Sequence, residues 1–517
     1  MISEFHTVQP SASFKEVKSI VIDQKQRVLP VIDQKGNTVG VITRTDLIQH
    51  LGVADRASSS PEKPAQLFER SLSALMESRL PKDILSLLKE LGELAQSLNL
   101  SIYLVGGSVR DLITLKPIKD LDLTLTGDMD EFIKAFALKH PTARVKNHPR
   151  FKTATIDLDN GFRLDLSCAR LEYYEYPGAM PIVRHASIRI DLQRRDFTIN
   201  AMALSLNSED YGRLLDFYRG YHDLKEGLIR VLHSLSFIED PTRAFRAIRF
   251  ENRLGFTVSR MTERLLETAL KNGFITNLSS RRVMAEIRRV CEEEEPGPIL
   301  KRLGELGLLK CVHPKLRIIP KQIERFRRVA RIKDWYRLTF GEKFSPVWLV
   351  WLLVLTDELE EEELADLVEN LDSGQKVARV AIEERKTLKS ILRQYQRIRE
   401  FIKPSEADRI FSDLSWPGIL YLMAMSSGDP LSRAGASYLT YYRLVKTNCD
   451  GKDLIKLGYH PGPRLHEALI FLREAKLDGL VNTLSEELAL AQELLKSGDS
   501  DGFDKNDVLR ETVDGRR

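Results

Sequence analysis

YLVGGSVRDLITLKPIKDLDLT, residues 103–124, decides how this chain is read. Its pattern predicts a strand over residues 102–105, a turn at Gly106 and Gly107, a short helix starting near Val109, and a second strand beginning at Asp120. In an extended segment alternate side chains share a face, so Asp120 and Asp122 project one way and Leu121 and Leu123 the other. Two neighbouring carboxylates repel unless cations sit between them. A hard divalent ion such as Mg²⁺ uses one or two carboxylates plus phosphate oxygens, and an ion pair can hold both oxygens of a phosphoryl displacement. The glycines let backbone approach an anion closely, and the N–H groups opening the next helix favour negative charge.

Asp-x-Asp alone is common at strand edges and turns. Gly-Gly-Ser-Val-Arg-Asp followed nine residues later by Asp-Leu-Asp-Leu is far more specific, and together these motifs resemble the nucleotidyltransferase head of the class II tRNA nucleotidyltransferase and bacterial poly(A) polymerase family. The resemblance implies a fold class: an α/β head with a mixed sheet of about five strands, then an all-α neck, body and tail. It also implies that Asp120 and Asp122 hold two Mg²⁺ ions and that Gly106, Gly107, Ser108 and Arg110 cradle a triphosphate.

Further along, residues 148–170 read as a β-meander. Alternation there puts Arg163, Asp165 and Ser167 on one face, making Asp165 either a third catalytic carboxylate near a 3′-hydroxyl or a solvated charge at a hairpin edge. Residues 169–193 carry Pro and Gly without periodicity and predict a mobile loop returning to a helix; the resemblance assigns a loop here to nucleotide choice. RRDFTINAMAL, residues 194–204, matches a second family motif. Its basic pair, Arg194 and Arg195, meets triphosphate charge, and Asp196 and Asn200, four apart on one helix face, meet sugar and phosphate. FIEDPTRAFRAIRF, residues 237–250, is the third. Pro241 suits a helix start with Asp240 as its N-cap, and Arg243, Arg246 and Arg249 form a basic stripe. The resemblance makes Asp240 and Arg243 the base readers and adds Arg246 to the nucleotide-binding set. A carboxylate accepts from the exocyclic amine shared by cytosine and adenine, and a guanidinium donates to the neighbouring ring atom.

With 517 residues, three or four domains are expected. Residues 1–54 resemble one CBS motif, through VLPVID and TVGVITRTDLIQHL, with Thr43, Arg44 and Asp46 as candidate ligand contacts. Such motifs normally pair to form an adenine-nucleotide cleft; a single one implies pairing with another chain as a homodimer, a longer architecture, or a unit used only for dimerisation. Residues 55–79 read as a linker, 80–232 as the head, 233–315 as the helical neck, 316–496 as helical body and tail, and 497–517 as a polar, disordered end. Within the body, residues 321–340 are basic with interleaved aromatics, fitting either RNA contact or a solvated helix. Residues 451–472 resemble the tail of members with appended CBS modules and predict two short helices.

Charge and cysteines constrain partners less. The excess of Lys+Arg over Asp+Glu, 78 − 74 = +4, does not by itself point to nucleic acid. The four cysteines lie far apart, with neither zinc spacing nor a disulfide framework. The opening residues lack an apolar signal region, and the apolar run 346–356 is about half what a bilayer needs. The expectation is a cytoplasmic protein. Functionally the resemblance implies attack by the tRNA 3′ acceptor end on the α-phosphate of CTP or ATP, adding CCA or only its terminal A and releasing pyrophosphate. A poly(A) polymerase acting on general RNA ends shares these motifs. A different class, an inactive adenylate-sensing RNA-binding protein, stays open beside them.

Overall fold

The computed structural model describes residues 6–13, 16–17, 19–20, 28–33, 36–43, 70–118, 121–148, 152–158, 163–174, 181–275, 280–341, 347–369, 374–395, 400–426 and 429–497. The chain divides into two units, residues 1–279 and 280–517.

At the N-terminus, β1 (Val28–Ile32) and β2 (Thr38–Thr43) form an antiparallel pair. The Gly-Asn turn between them is real: Gly36 has a φ of 83°, and Asp33 accepts from the backbone N–H of Asn37 at 2.9 Å. Val8, Val17 and Leu29 make a small core. Arg44, Asp46 and the helix expected after Thr43 lie outside the described residues.

An eight-stranded mixed sheet organises the rest of this unit. Its strands are β3 (Arg70–Ser71), β4 (Ser101–Val105), β5 (Leu121–Thr126), β6 (Arg144–His148), β7 (Thr153–Asp157), β8 (Arg163–Cys168), β11 (Met202–Ser205) and β12 (Arg213–Asp216), with β9 (Arg170–Tyr174) and β10 (Pro181–His185) outside it. The order is β3-β12-β11-β4-β5-β8-β7-β6. Only the β5–β8 pairing is parallel among its neighbours. The sheet has eight strands where the resemblance implied about five; a two-residue edge strand such as β3 is below what periodicity detects. Residues 70–79, expected as linker, instead supply β3 and the helix Ser73–Arg79, which buries Met76. The amphipathic helix Lys82–Ser97 buries Leu87, Leu88, Leu91 and Leu94 in the 3.6-residue rhythm, as its sequence predicts. Gly92 sits where a Cβ would lie 1.8 Å from the Leu206 carbonyl oxygen, so the helix rests directly on backbone.

Two expectations change here. Within residues 169–193, expected as a loop returning to a helix, β9 pairs antiparallel with β10 as a ribbon, and the expected helix follows at Ile188–Gln193; residues 175–180 lie outside the described residues. The ribbon lacks the apolar alternation of a half-buried strand, which is why the pattern missed it. Asp196 and Asn200 do not share a helix either. Asp196 lies in a bend before the 3₁₀ turn Thr198–Asn200, because Phe197 is extended and bridges Val231.

The second unit is helical. Pro296 opens the helix Pro296–Glu305, as a proline break predicts, and Gly307, in left-handed geometry, follows the end of that same helix. Val347–Leu355, the apolar run, is a buried helix, and no helix among the described residues is long and apolar enough to cross a membrane. The basic stretch forms one helix, Pro320–Phe340. Arg325 on it is buried and paired with Asp357 at 2.7 Å, so that charge serves the core, whereas Arg327 and Arg331 face outward. The two short helices expected near the end are Gly451–Lys456 and Pro463–Leu477.

Candidate active site

Gly106 ends β4 with φ 65° and ψ −127°, a conformation glycine adopts without penalty, and turns the chain into the helix Gly107–Ile113. This places the glycine pair against Asp122 on the neighbouring strand. A Cβ at Gly106 would lie 3.7 Å from Asp122 Oδ2 and 2.7 Å from Arg195 Nη1. A Cβ at Gly107 would lie 3.9 Å from the same carboxylate oxygen. The missing side chains leave space beside a hard oxygen donor, which fits a divalent cation with phosphate oxygens. Asp120, the other expected ligand, lies outside the described residues, and among those described no cluster of three or more His, Cys, Asp or Glu could hold a metal. Ser108 is buried and does something the motif does not announce. Its Oγ accepts from the Asp122 N–H at 3.0 Å, pinning the start of β5.

Eleven of the expected residues surround one cavity of about 420 Å³: Gly106, Gly107, Arg110, Asp122, Arg194, Arg195, Asp196, Asn200, Asp240, Arg243 and Arg246, joined by Phe250 and Arg253. Six arginines face three aspartates there, a surplus of positive charge suited to a polyanion. Ser108 and Asp165 are not on its wall. Asp165 is the register partner of Asp122 in the parallel β5–β8 pair, and it accepts from Thr155 Oγ1 at 2.9 Å with Arg163 3.5 Å away.

Most of these charges are held by partners. Asp196 is saturated: Oδ1 accepts from the Phe197 N–H at 2.9 Å and Asn200 Nδ2 at 3.0 Å, while Oδ2 accepts from Arg246 Nε and Nη2 at 2.9 and 2.5 Å. Burial works against the carboxylate's charge, but Arg246 and Asn200 outweigh it and hold the carboxyl below its usual range. A sugar hydroxyl would have to compete for those oxygens, so Asp196 acts first as the holder of Arg246. Asn200 Oδ1 accepts from Arg110 Nη1 at 2.8 Å, and Arg110 also clasps Asp111. Arg243 is buried. It donates to the carbonyls of Arg194 at 2.7 Å and Ser236 at 3.4 Å, which fixes its fork before any base arrives. Asp240 takes up its cap role, Oδ1 accepting from Thr242 N and Oγ1 at 3.1 and 2.7 Å at the start of the helix Thr242–Leu254, and it also lines the cavity.

Asp191 was missed. Fully buried, it accepts from Arg194 Nε and Nη2 at 2.9 and 2.7 Å, from Arg195 Nη2 at 3.3 Å, and from the Arg170 N–H at 3.1 Å. It ties the basic pair to the first residue of the ribbon. Its spacing, three and four residues before the two arginines, was the available signal. Burial pulls Arg195 below the usual guanidinium value, with Asp191 opposing. Asp223 was missed too: it accepts from Thr198 Oγ1 at 2.7 Å and from Arg230 Nε at 3.0 Å. Gly220 lets its helix approach there, since a Cβ would stand 2.1 Å from the Thr198 carbonyl oxygen.

Against known proteins, the Poly A polymerase head domain family matches residues 102–230, and the CBS domain family matches residues 1–53. The chain is 36% identical over 507 residues to the A-adding tRNA nucleotidyltransferase of Geobacter sulfurreducens, covering 96% of this chain and 57% of the relative. It is 32% identical over 439 residues to the A-adding tRNA nucleotidyltransferase of Halalkalibacterium halodurans, covering 84% of this chain and 98% of that one. The chain thus spans little more than half of the first relative and nearly all of the second. Among solved structures, a CCA-adding enzyme in complex with ATP superposes with a TM-score of 0.69 at 32% identity, covering 85% of this chain and 99% of that one. The Thermotoga maritima CCA-adding enzyme complexed with tRNA gives 0.68 at 31%, covering 84% and 99%.

Proposed function

The chain belongs to the family of A-adding and CCA-adding tRNA nucleotidyltransferases, and from that premise we propose that it transfers AMP from ATP to the 3′ end of tRNA ending in CC. The arginine-lined cavity opening onto Asp122 beside the glycine turn carries this reading. The A-adding relatives support A over CCA: their matches cover 96% and 84% of this chain, whereas a CC-adding relative matches 40%. Full CCA addition is the second reading, favoured by the likeness to CCA-adding structures.

In the reaction the 3′-hydroxyl attacks the α-phosphorus, a new ester bond forms, the bond to the β-phosphate oxygen breaks, and pyrophosphate leaves. Asp122 with Asp120 would hold Mg²⁺, two ions by family resemblance, which when bound neutralises charge at the transferred phosphoryl group. Arg195 and Arg246 grip the triphosphate, their positions set by Asp191 and Asp196. Arg110 and the Gly106–Gly107 backbone close the cradle, with Ser108 keeping Asp122 in register. Asp165, beside Asp122 on the adjacent strand, is the carboxylate suited to take the hydroxyl proton. Asp240 and Arg243 read the amine edge of adenine. A carbonyl in place of that amine leaves Asp240 facing an acceptor, a mismatch worth roughly 1–3 kcal/mol. The residues 1–53 unit is proposed to pair with a second copy and take an adenine nucleotide, which light scattering with and without ATP tests.

The main test uses purified protein, Mg²⁺, labelled ATP or CTP, and three acceptors: tRNA lacking CCA, tRNA ending in CC, and a generic RNA. A added only to the CC end supports the proposal. C and A together give the second reading, A tracts on generic RNA give a poly(A) polymerase, and no incorporation refutes all three.

A further inference from the structure

Three guanidinium groups of this region surround one aromatic ring. The Cζ atoms of Arg110, Arg246 and Arg249 lie over the ring of Phe250 at 5.4, 5.7 and 6.0 Å from its centroid. Arg110 comes from the helix after the glycine turn, whereas Arg246 and Arg249 share the helix of Phe250, so the ring joins two walls of the cavity. Phe250 is 6% exposed, and Phe197 meets it edge-on with centroids 5.7 Å apart.

Gathering like charges in one place requires something to offset their repulsion. A carboxylate does so at the expense of the site, because it cancels the positive field and occupies the N–H groups that a phosphate needs. Arg246 already gives two of its donors to Asp196, and Arg110 gives donors to Asp111 and Asn200. An aromatic face attracts cations through its quadrupole while carrying no net charge and taking no hydrogen bond. Beyond the carboxylate that Arg246 and Arg110 each already face, the ring adds its hold without cancelling further charge.

We propose that Phe250 is a positioning residue for the nucleotide triphosphate: its π face holds Arg110 and Arg246 converged on the cavity without neutralising them. This rests on the nucleotide reading of that cavity. A phenylalanine kept only for its apolar volume fits the burial equally well, so the test must change the ring's electrostatics at nearly constant size.

Replacing Phe250 by 4-fluoro-, 3,5-difluoro- and 3,4,5-trifluorophenylalanine does this, with F250L and F250Y alongside. Binding of inorganic tripolyphosphate by calorimetry, and KM and kcat for ATP on tRNA ending in CC, are the readouts. The expected result is weakening with each added fluorine, reaching roughly three- to tenfold in both Kd and KM for trifluorophenylalanine and F250L, with kcat within about twofold and F250Y near wild type. A flat fluorine series overturns the proposal, whatever F250L does, because it leaves volume as the role. So does a fall in kcat at constant KM, or a wild-type protein that binds no tripolyphosphate. Should F250L not fold, the fluorinated series still decides. If the wild type transfers A and the series is flat, only the role of Phe250 fails. If tripolyphosphate binding tracks fluorination but no nucleotide is transferred, the nucleotidyl reading fails and the role of Phe250 stands.

Discussion

Replacing Gly106 by alanine adds a single carbon where the structure leaves no room for one. Two effects separate. At φ 65° and ψ −127° an L-residue is strained, at about 1–3 kcal/mol. For a unit of this size each kcal/mol lowers the melting temperature by about 2–4 °C, so a fall of about 2–12 °C is expected. The new Cβ would also sit 2.7 Å from Arg195 Nη1, several tenths of an ångström inside contact distance. Asp191 anchors Arg195 through one bond of 3.3 Å, longer than the 2.7 and 2.9 Å bonds it accepts from Arg194, so under this contact the guanidinium shifts away from its proposed place on the triphosphate. Losing one charge-assisted hydrogen bond costs about 1.5–3 kcal/mol, or about 10- to 150-fold in KM for ATP. Gly307→Ala provides the comparison: its φ is 78°, but nothing lies within 4 Å of the added carbon, so it carries strain alone. Steady-state A addition to tRNA ending in CC, with thermal melts of both variants, reads the outcome. The reasoning is refuted if G106A keeps a KM within about twofold of wild type, or if G307A raises KM as much as G106A does.

Asp122→Asn should lower A addition by at least about 10²–10³-fold while tRNA affinity in a filter-binding assay stays unchanged, because the proposed role of the carboxylate is confined to the reacting phosphate. Asp240→Asn keeps an oxygen to cap Thr242 but replaces its partner with an amide. Its melting temperature should therefore stay close to wild type while selectivity for ATP over GTP and UTP collapses, and unchanged selectivity would leave Asp240 as a cap only. Asp196 has a folded-state carboxyl held below its usual value near 3.8, so its stabilising contribution is complete above that value and is lost as pH falls through the lower folded value. Urea melts from pH 6 down to about pH 3 should show a steeper loss for wild type than for D196N, and parallel curves would refute the pairing with Arg246. Asp223→Asn weakens the hold on Thr198 and Arg230 and should destabilise the first unit by about 2 kcal/mol in denaturant titrations.

The parts of this molecule legible in its sequence are those where one residue type is demanded locally. Gly106 must be glycine for its backbone angles, Pro296 opens a helix, and the leucines of Lys82–Ser97 repeat at the helical period; each signal sits within a few residues of the structure it dictates. The ribbon of β9 and β10 had no such local signature and was read as a loop. The site divides the same way. Motif residues identified eleven of the cavity's wall positions, but a motif names a side chain without naming its partner, and here the partner decides the role. Asp196, expected to receive a sugar hydroxyl, spends both oxygens on Arg246, Asn200 and the backbone. Ser108, expected on phosphate, holds the backbone of Asp122 instead. In both cases the contact spans more than a dozen residues of chain or joins separate elements, which no period encodes. Asp191 shows the converse. Its i+3 and i+4 arginines were in plain sight, yet only full burial turns an ordinary surface spacing into an anchor for the two cations nearest the glycine turn. Because Asp191 also accepts from Arg170 at the start of β9, any movement of the ribbon is felt first at Arg194 and Arg195, and through the Arg194 carbonyl at Arg243. On the proposed roles, triphosphate grip and base reading share one backbone segment, so a change at the ribbon should alter affinity and selectivity together.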